Sequence, residues 1–397
     1  MRPLIILGTG LAGYTLAREY RKLNAERELV LISQDDGRSY SKPMLSNGLS
    51  KGKTADAIAM ASATDMATQL KATVHAHVAV TAIDRAAQTL TVQAADGSSE
   101  TLAYGDLVLA IGADVFRPPL GGNGGERVYT VNDLEDYARF RAAIGDSGKR
   151  VLIIGGGLIG CEFANDLSAS GFDVELVEPM GRPLPTLLPE RASAAVADGL
   201  RSLGVNFHFA GVTAVDLAGE GVQVSLSDGK TVAADIVLSA IGLRPRIALA
   251  QAAGLETARG IVTDRLLRTS DEHIYALGDC AEVSGKVLMY VLPLMAAARA
   301  LAKTLAGEAT PVSYPAMPVQ IKTPICPIVV SPVAPNTEGA WEVEADGANV
   351  KASFRAANGD LLGFALTGSY ATDMKVKSEM AKWGKLIREA RLKDEAL

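Results

Sequence analysis

Short apolar runs closed by glycine recur along this chain at two matching sets of places. Leu4-Ile5-Ile6-Leu7 opens the first set and runs into Gly8-Thr9-Gly10-Leu11-Ala12-Gly13. Val151-Leu152-Ile153-Ile154 opens the second and runs into Gly155-Gly156-Gly157-Leu158-Ile159-Gly160. Unbroken apolar runs of this length predict strands buried on both faces, and the residues beyond each glycine group have the character of a helix. In the first copy the helix is expected over Tyr14 to Leu23 and the next strand over Leu29 to Ser33. Thr89 to Gln93, the turn Asp96-Gly97 and the run Asp106 to Gly112 follow. The second copy keeps the same order: Val174 to Glu178, then Val222 to Leu226 with Asp228-Gly229, then Asp235 to Gly242. Alternating apolar residues around Asp-Gly are a strong hairpin signal, and their return at the same place marks a duplicated unit.

Beyond the second copy, Ile274 to Leu277 predicts a strand that stops at Gly278-Asp279, and a helix is expected from Pro293 to Leu305. No glycine motif precedes this piece, so it reads as the first unit resuming after an inserted second one. The remainder changes character. Short β-rich runs (Val319 to Lys322, Ile325 to Val330, Trp341 to Glu344, Val350 to Phe354, Leu361 to Leu366) surround an Asn358-Gly359 hairpin, a pattern of a small α+β domain. The expected fold class is therefore α/β, with two Rossmann-like dinucleotide-binding domains, one inserted into the other, and a small C-terminal α+β domain. The boundaries fall at 1–112 with 242–312, at 113–241, and at 313–397.

Composition narrows the classes of function. With 397 residues, 48% hydrophobic and 21% charged, the chain is an ordinary globular one with room for two or three domains. A net charge of −6 argues against a nucleic-acid binder. Cys161, Cys280 and Cys326 form no CxxC and no short-loop pair, so no disulfide framework or redox dithiol is expected. His75, His77, His208 and His273 have no metal-ligand spacing; His75 and His77 alternate as on a strand edge. The first apolar run is too short for a signal peptide, and the stretch Val287 to Ala302 is broken by Pro293 and Arg299. A cytoplasmic location without a membrane span is expected.

The chemistry sits in the glycines. In a strand–GxGxxG–helix unit the first glycine permits the tight turn and the second lets backbone approach a pyrophosphate. The third lets helix pack on strand, and the helix N-terminus supplies amide donors. Two such units imply two dinucleotides. An acid near the end of the second strand accepts from the adenosine ribose hydroxyls. Glu178 is that acid in copy two and favours NADH over NADPH, although Arg182 lies close by in sequence. Copy one ends in Ser33, with Asp35 and Asp36 just beyond, so its acid is displaced or absent.

Through residue 310 or so the chain resembles the FAD- and NAD-dependent pyridine nucleotide oxidoreductases of the two-dinucleotide type. Gly278-Asp279 after a strand is the most specific mark, because in that family this aspartate binds the flavin ribityl chain. The resemblance thus gives FAD to copy one and NADH to copy two. It also implies cofactor contacts for Pro43, Val80, Ala110, Gly112, Arg117 and Gly242, and a Val291 backbone close to the flavin. Four runs are similar to the rubredoxin-reducing branch of the family: Tyr40 to Ser46, Asn132 to Arg139, Gly160 to Leu167, and Ile321 to Pro324. Related ferredoxin reductases usually carry Arg-Pro where Lys42-Pro43 stands and a lysine where Asn47 stands.

The resemblance further implies that Lys42 and Glu162 lie near the hydride-accepting end of the flavin as an ion pair. The helix near Pro293 and Lys322 would stabilise negative charge at flavin N1 and O2. Disulfide reductases of this class pass electrons to a cysteine pair in the region that here spans Ser39 to Lys53, which contains no cysteine. Cys161 and Cys280 read as small core residues. The flavin would then deliver electrons directly to a one-electron iron carrier. The resemblance makes that carrier a rubredoxin, which in this family often feeds an alkane monooxygenase. An NADH-dependent ferredoxin or flavorubredoxin reductase, and an NADH-sensing flavoprotein scaffold, stay open as alternatives. The cation-rich C-terminal segment (Lys375, Lys377, Lys382, Lys385, Arg388, Arg391, Lys393) is either a docking patch for an acidic rubredoxin or a solvated helix packed by Val376, Met380, Trp383 and Ile387.

Overall fold

A computed structural model describes residues 2–146, 148–314, 317–373, 382–384 and 387. Two compact units share the chain, each made of three separate stretches. The first comprises Met1–Lys42, Ala57–Asp114 and Leu243–Tyr314; the second comprises Pro43–Asp56, Val115–Gly242 and Pro315–Leu397.

The first unit is built on a five-stranded parallel sheet in the order Ile274–Ala276, Asp106–Leu109, Leu4–Leu7, Leu29–Ile32, Thr73–His75. Its central strands are fully buried, as their uninterrupted apolar sequence requires. Helices Leu11–Leu23 and Val291–Leu305 pack on each other, which brings the return segment against the first glycine turn. An antiparallel sheet of Val78–Asp84, Thr89–Ala94 and Ser99–Ala103 turns at Gly97, whose φ of 84° suits glycine.

The second unit repeats the plan. Its parallel sheet runs Val128–Tyr129, Ile236–Ser239, Arg150–Ile154, Asp173–Val177, Asn206–His208, and its antiparallel sheet joins Val212–Ala218, Gly221–Leu226 and Thr231–Ala234. The duplication extends to strand order, with one exchange. The edge strand of the first sheet comes from the return segment after the inserted unit, whereas that of the second comes from chain just ahead of its own glycine motif. Strands Val78–Asp84 and Val212–Ala218 escape the apolar pattern because they are half exposed and carry few buried positions. His75 ends a strand, but His77 lies beyond it with φ of 57°, so the two histidines do not share an edge as expected.

Also in the second unit, Val319–Ile321, Ile328–Ser331, Leu361–Thr367, Asn349–Arg355 and Ala340–Asp346 form an antiparallel sheet in that order. It packs on helix Glu190–Ser202, where Arg191 donates to the Gly347 carbonyl at 2.9 Å. A Cβ on Gly199 would stand 3.1 Å from that of Cys326, so glycine is what lets helix and sheet approach. Trp383 packs edge-on to Phe364 with ring centroids 5.2 Å apart, and Ile387 is buried in the same cluster. Lys382 is exposed. Lys375, Val376, Lys377, Met380, Lys385, Arg388, Arg391 and Lys393 lie outside the described residues. Among the described residues no helix is long and apolar enough to cross a membrane.

Phe140, wholly buried, meets Phe163 edge-on at 6.0 Å and Tyr129 at 6.1 Å. Truncation to alanine leaves a cavity that close packing cannot collapse, so Phe140→Ala should cost about 3–5 kcal/mol. Urea unfolding followed by tryptophan fluorescence and circular dichroism checks this; an unchanged midpoint would contradict the packing.

Candidate functional site

Both glycine motifs sort their residues by what each position needs. Gly8 has φ of 109° and a Cβ there would come within 2.3 Å of the Ala110 carbonyl oxygen; a Cβ on Gly13 would sit 1.9 Å from the Gly8 oxygen. The fold itself demands these two glycines. Gly10 differs: its φ of −67° is open to any residue, and a Cβ would meet no atom of the protein within 4 Å. No protein atom therefore requires glycine at this position. The second motif repeats this, with Gly155 and Gly160 hemmed in by backbone oxygens at 2.8 and 1.8 Å and Gly157 facing open space. Gly10 and Gly157 are also the N-caps of their helices, neither with a side-chain cap nor with an acid in the first turn. By contrast, Ser62 and Asp133 cap their own helices with side chains. Both glycine-capped helix ends thus keep amide donors for an anion.

In the first unit, Thr9 donates to Ser33 Oγ at 2.8 Å, and Ser33 donates to Asp35 Oδ1 at 2.5 Å. Asp35 also accepts the Gly37 amide at 2.9 Å. Asp35, two residues past Ser33, therefore organises the turn after the strand. Leu11 begins the helix and Ala12 is buried on it. Gly278, with φ of 78°, has its α-carbon so near Ala12 that a Cβ would stand 3.0 Å from the alanine methyl. This packing carries Asp279 to the glycine turn. Burial pushes the Asp279 carboxyl above the usual carboxylate range, opposed by Lys42, whose Nζ lies 4.0 Å away. Helix Val291–Leu305 begins at Val291 with no side-chain cap, no acid in its first turn, and Pro293 as its third residue. Val80 is half-buried on the antiparallel sheet, and Ala110 and Gly112 follow the strand Asp106–Leu109, Gly112 with φ of 72°.

In the second unit, Glu178 is buried and accepts the Gly156 amide at 2.8 Å and the Met180 amide at 2.9 Å, so its carboxylate is fixed against the glycine turn. Arg182 donates to the carbonyls of Leu188 at 3.0 Å and Pro185 at 3.2 Å, which holds its guanidinium within its own loop. Gly242, with φ of 106°, occupies the place of Gly112 in this copy. Arg117 reaches the Thr130 hydroxyl at 3.5 Å. Leu158 and Ile159 open the helix, Ile159 exposed.

The same helix supplies a cluster that the sequence did not bring together. Glu162 is 1% exposed, and its carboxylate accepts the Lys322 ammonium at 2.5 Å, the Lys322 backbone amide at 2.8 Å and the Ser46 hydroxyl. The cation expected at the far side of the flavin thus pairs with the acid expected near its hydride-accepting end. Pro43 and Ser46 belong to a 3-10 turn, Lys42–Asn47. No local pattern signals a contact across 160 residues; only the presence of Glu162 and Lys322 among the four marked runs hinted at it.

All three cysteines are buried and free, and burial raises each thiol pKa, that of Cys280 to about 11. Among the described residues no group of His, Cys, Asp or Glu side chains gathers to hold a metal.

The chain is similar to known proteins along nearly its whole length. The family described as pyridine nucleotide-disulphide oxidoreductase matches residues 2–302, and one described as rubredoxin binding C-terminal domain matches residues 311–382. The rubredoxin-NAD(+) reductase of Alcanivorax borkumensis is 57% identical over 383 residues, 96% of this chain and 99% of that protein. The protein of the same name from Acinetobacter baylyi is 47% identical over 380 residues, covering 94% of this chain and 95% of its own. Among solved structures, the ferredoxin reductase for the CYP199A2 system of Rhodopseudomonas palustris aligns with a TM-score of 0.83 at 27% identity, over 92% of this chain and 91% of that one. The chain belongs to the pyridine nucleotide-disulphide oxidoreductase family.

Proposed function

We propose that this chain passes electrons from NADH through FAD to rubredoxin. The observation that carries the reading is a C-terminal domain of the rubredoxin-binding type behind two dinucleotide turns in one chain. The first unit suits FAD: Gly10 leaves space where backbone must approach a pyrophosphate, and two uncapped helix ends offer donors. Bound there, FAD accepts two electrons and releases them singly, the chemistry a one-electron iron carrier needs.

The chain's own residues bind, orient and balance charge. Gly8 to Gly13 hold the pyrophosphate at the helix end, and Asp279 accepts from the ribityl hydroxyls. The amide end at Val291 would favour negative charge on the reduced ring, the role the resemblance also gives Lys322, whose ammonium pairs with Glu162. Lys42 and Glu162 are the residues that the family resemblance assigns to the hydride-accepting end. Ser33, Pro43, Val80, Ala110, Gly112 and Arg117 complete the FAD contacts, and Gly242 belongs with the second turn. NADH takes Gly155 to Gly160, with Glu178 accepting from the adenosine ribose. Arg182 turns two of its N–H groups to the Pro185 and Leu188 carbonyls, which supports NADH over NADPH by holding the guanidinium in its own loop. Buried thiols with raised pKa values support direct transfer from the flavin, with no dithiol relay. The cytoplasm, where NADH is regenerated and free cysteines stay reduced, is the compartment we assign. Onward delivery to an alkane hydroxylase is the downstream step we propose on resemblance.

Steady-state assays with NADH and rubredoxin test the reading. Bleaching of rubredoxin should be catalytic; a flavin that NADH reduces but that turns over no carrier would instead indicate a sensor. Glu178→Ala removes a charged acceptor, so the NADH KM should rise by about tenfold or more with kcat changed less than about twofold. An unaltered KM would remove Glu178 from the ribose site.

Asp279→Asn separates stability from binding. A carboxyl whose folded pKa is raised contributes its stability fully below the unfolded value and loses it as pH climbs through the folded one. FAD-free Asp279→Asn should therefore melt higher than the FAD-free parent near neutral pH, with the gain fading below about pH 4. The same variant should lose FAD during gel filtration. A variant that keeps full flavin would contradict the ribityl role, and a lower melting point would contradict the penalty of burial.

A further inference from the structure

Helix Leu158–Ala169 begins at the second glycine turn, and further along it Glu162, Asn165 and Asp166 share one face by their spacing. All three are buried. Glu162 holds Ser46 and Lys322, and Asn165 accepts the Ile325 amide at 3.2 Å. Asp166, 2% exposed, accepts the Leu49 amide at 2.8 Å, the Ser50 amide at 3.1 Å and the Ser50 hydroxyl. From helix Leu134–Ile144, the buried Tyr137 hydroxyl donates to the Lys53 carbonyl at 2.8 Å. The segment Pro43–Asp56 is thus tied at three successive places: Ser46, Leu49 with Ser50, and Lys53.

The proposed electron path uses Glu162 but assigns nothing to Asp166 or Tyr137. Both are nevertheless poor choices for a merely space-filling role. A carboxylate out of water must be met by donors, and Asp166 draws three from two adjacent residues, Leu49 and Ser50. Any other placement of Leu49 and Ser50 would strand a buried charge, so Asp166 selects one conformation of the segment.

We infer that Asp166, backed by Tyr137, is a positioning residue for flavin reduction by NADH. It fixes the segment Pro43–Asp56, and thereby the Ser46 hydroxyl that shares Glu162 with Lys322. The inference rests on the proposed function, and it adds two residues to which that reading assigns no dinucleotide contact.

The test uses the full FAD-loaded chain and its Asp166→Ala, Asp166→Asn and Tyr137→Phe variants. Hydrogen exchange over residues 46–53 reports the segment, and anaerobic rapid mixing with NADH reports flavin reduction without rubredoxin. Asp166→Ala should exchange about tenfold faster there, because two amides lose their acceptor. Its limiting reduction rate should fall about tenfold, while FAD content and half-saturation by NADH change less than about twofold. Asp166→Asn, which keeps one carbonyl acceptor, should fall between it and the parent in both readouts. Faster exchange with an unchanged limiting rate would make Asp166 structural only and overturn the inference; so would unchanged exchange. Should Asp166→Ala fail to fold, Asp166→Asn and Tyr137→Phe decide, and parental limiting rates in both overturn it. A parent protein that NADH does not reduce overturns the proposed function itself, and the parent trace tells the two failures apart.

Discussion

A carboxylate removed from water has to be met by donors, and the burial of Glu162 imposes that condition on the whole second unit. The donors come from Ser46, far upstream, and from Lys322, far downstream. A single helix anchored at a glycine turn therefore gathers an early segment, a late segment and the dinucleotide end. Asn165 and Asp166 extend the cluster along the helix, Asn165 accepting the Ile325 amide and Asp166 those of Leu49 and Ser50. Glu162, expected as one half of an ion pair with Lys42, is within its unit the hub of a hydrogen-bonded cluster with Ser46 and Lys322.

The duplication explains why two dinucleotide turns look alike and what differs between them. In each, the outer glycines are required by backbone oxygens a fraction of a bond length too close for a side chain, whereas the middle glycine is required by no protein atom. That separates the demands of folding from the demands of a ligand using geometry alone. The copies diverge at the strand-end acid. Glu178 is pinned by two amides against its glycine turn, while Asp35 in the first copy organises its own loop through Ser33 and Gly37. At the second turn the buried acid is held by its own strand end, and at the first Asp279 comes from the return segment and is placed by the contact of Gly278 with Ala12.

Much of this architecture was legible in the sequence because its strands are continuous apolar runs and its turns carry Asp-Gly or Gly-x-Gly. The core strands, both hairpins, the Gly278-Asp279 stop and the helix around Pro293 all follow local rules. Half-exposed strands such as Val212–Ala218 follow none, since no face of them is wholly buried. The placement of Pro43–Asp56 in the second unit, and the pairing of Glu162 with Lys322, depend on contacts between residues more than a hundred positions apart. Periodicity carries no information at that range. The marked runs around Ser46, Tyr137, Glu162 and Lys322 gave identities without geometry, and the structure joins most of them into one cluster.

The chain's three buried thiols and its rubredoxin-binding C-terminal domain point to an electron path that leaves the flavin directly for an external carrier. Anaerobic titration of the FAD-loaded protein with NADH, followed by addition of oxidised rubredoxin, tests this most directly. The account predicts that about one NADH reduces each FAD completely and that each reduced FAD then bleaches about two rubredoxins. Uptake of a second NADH per flavin, or a reduced flavin that rubredoxin leaves untouched, would contradict it.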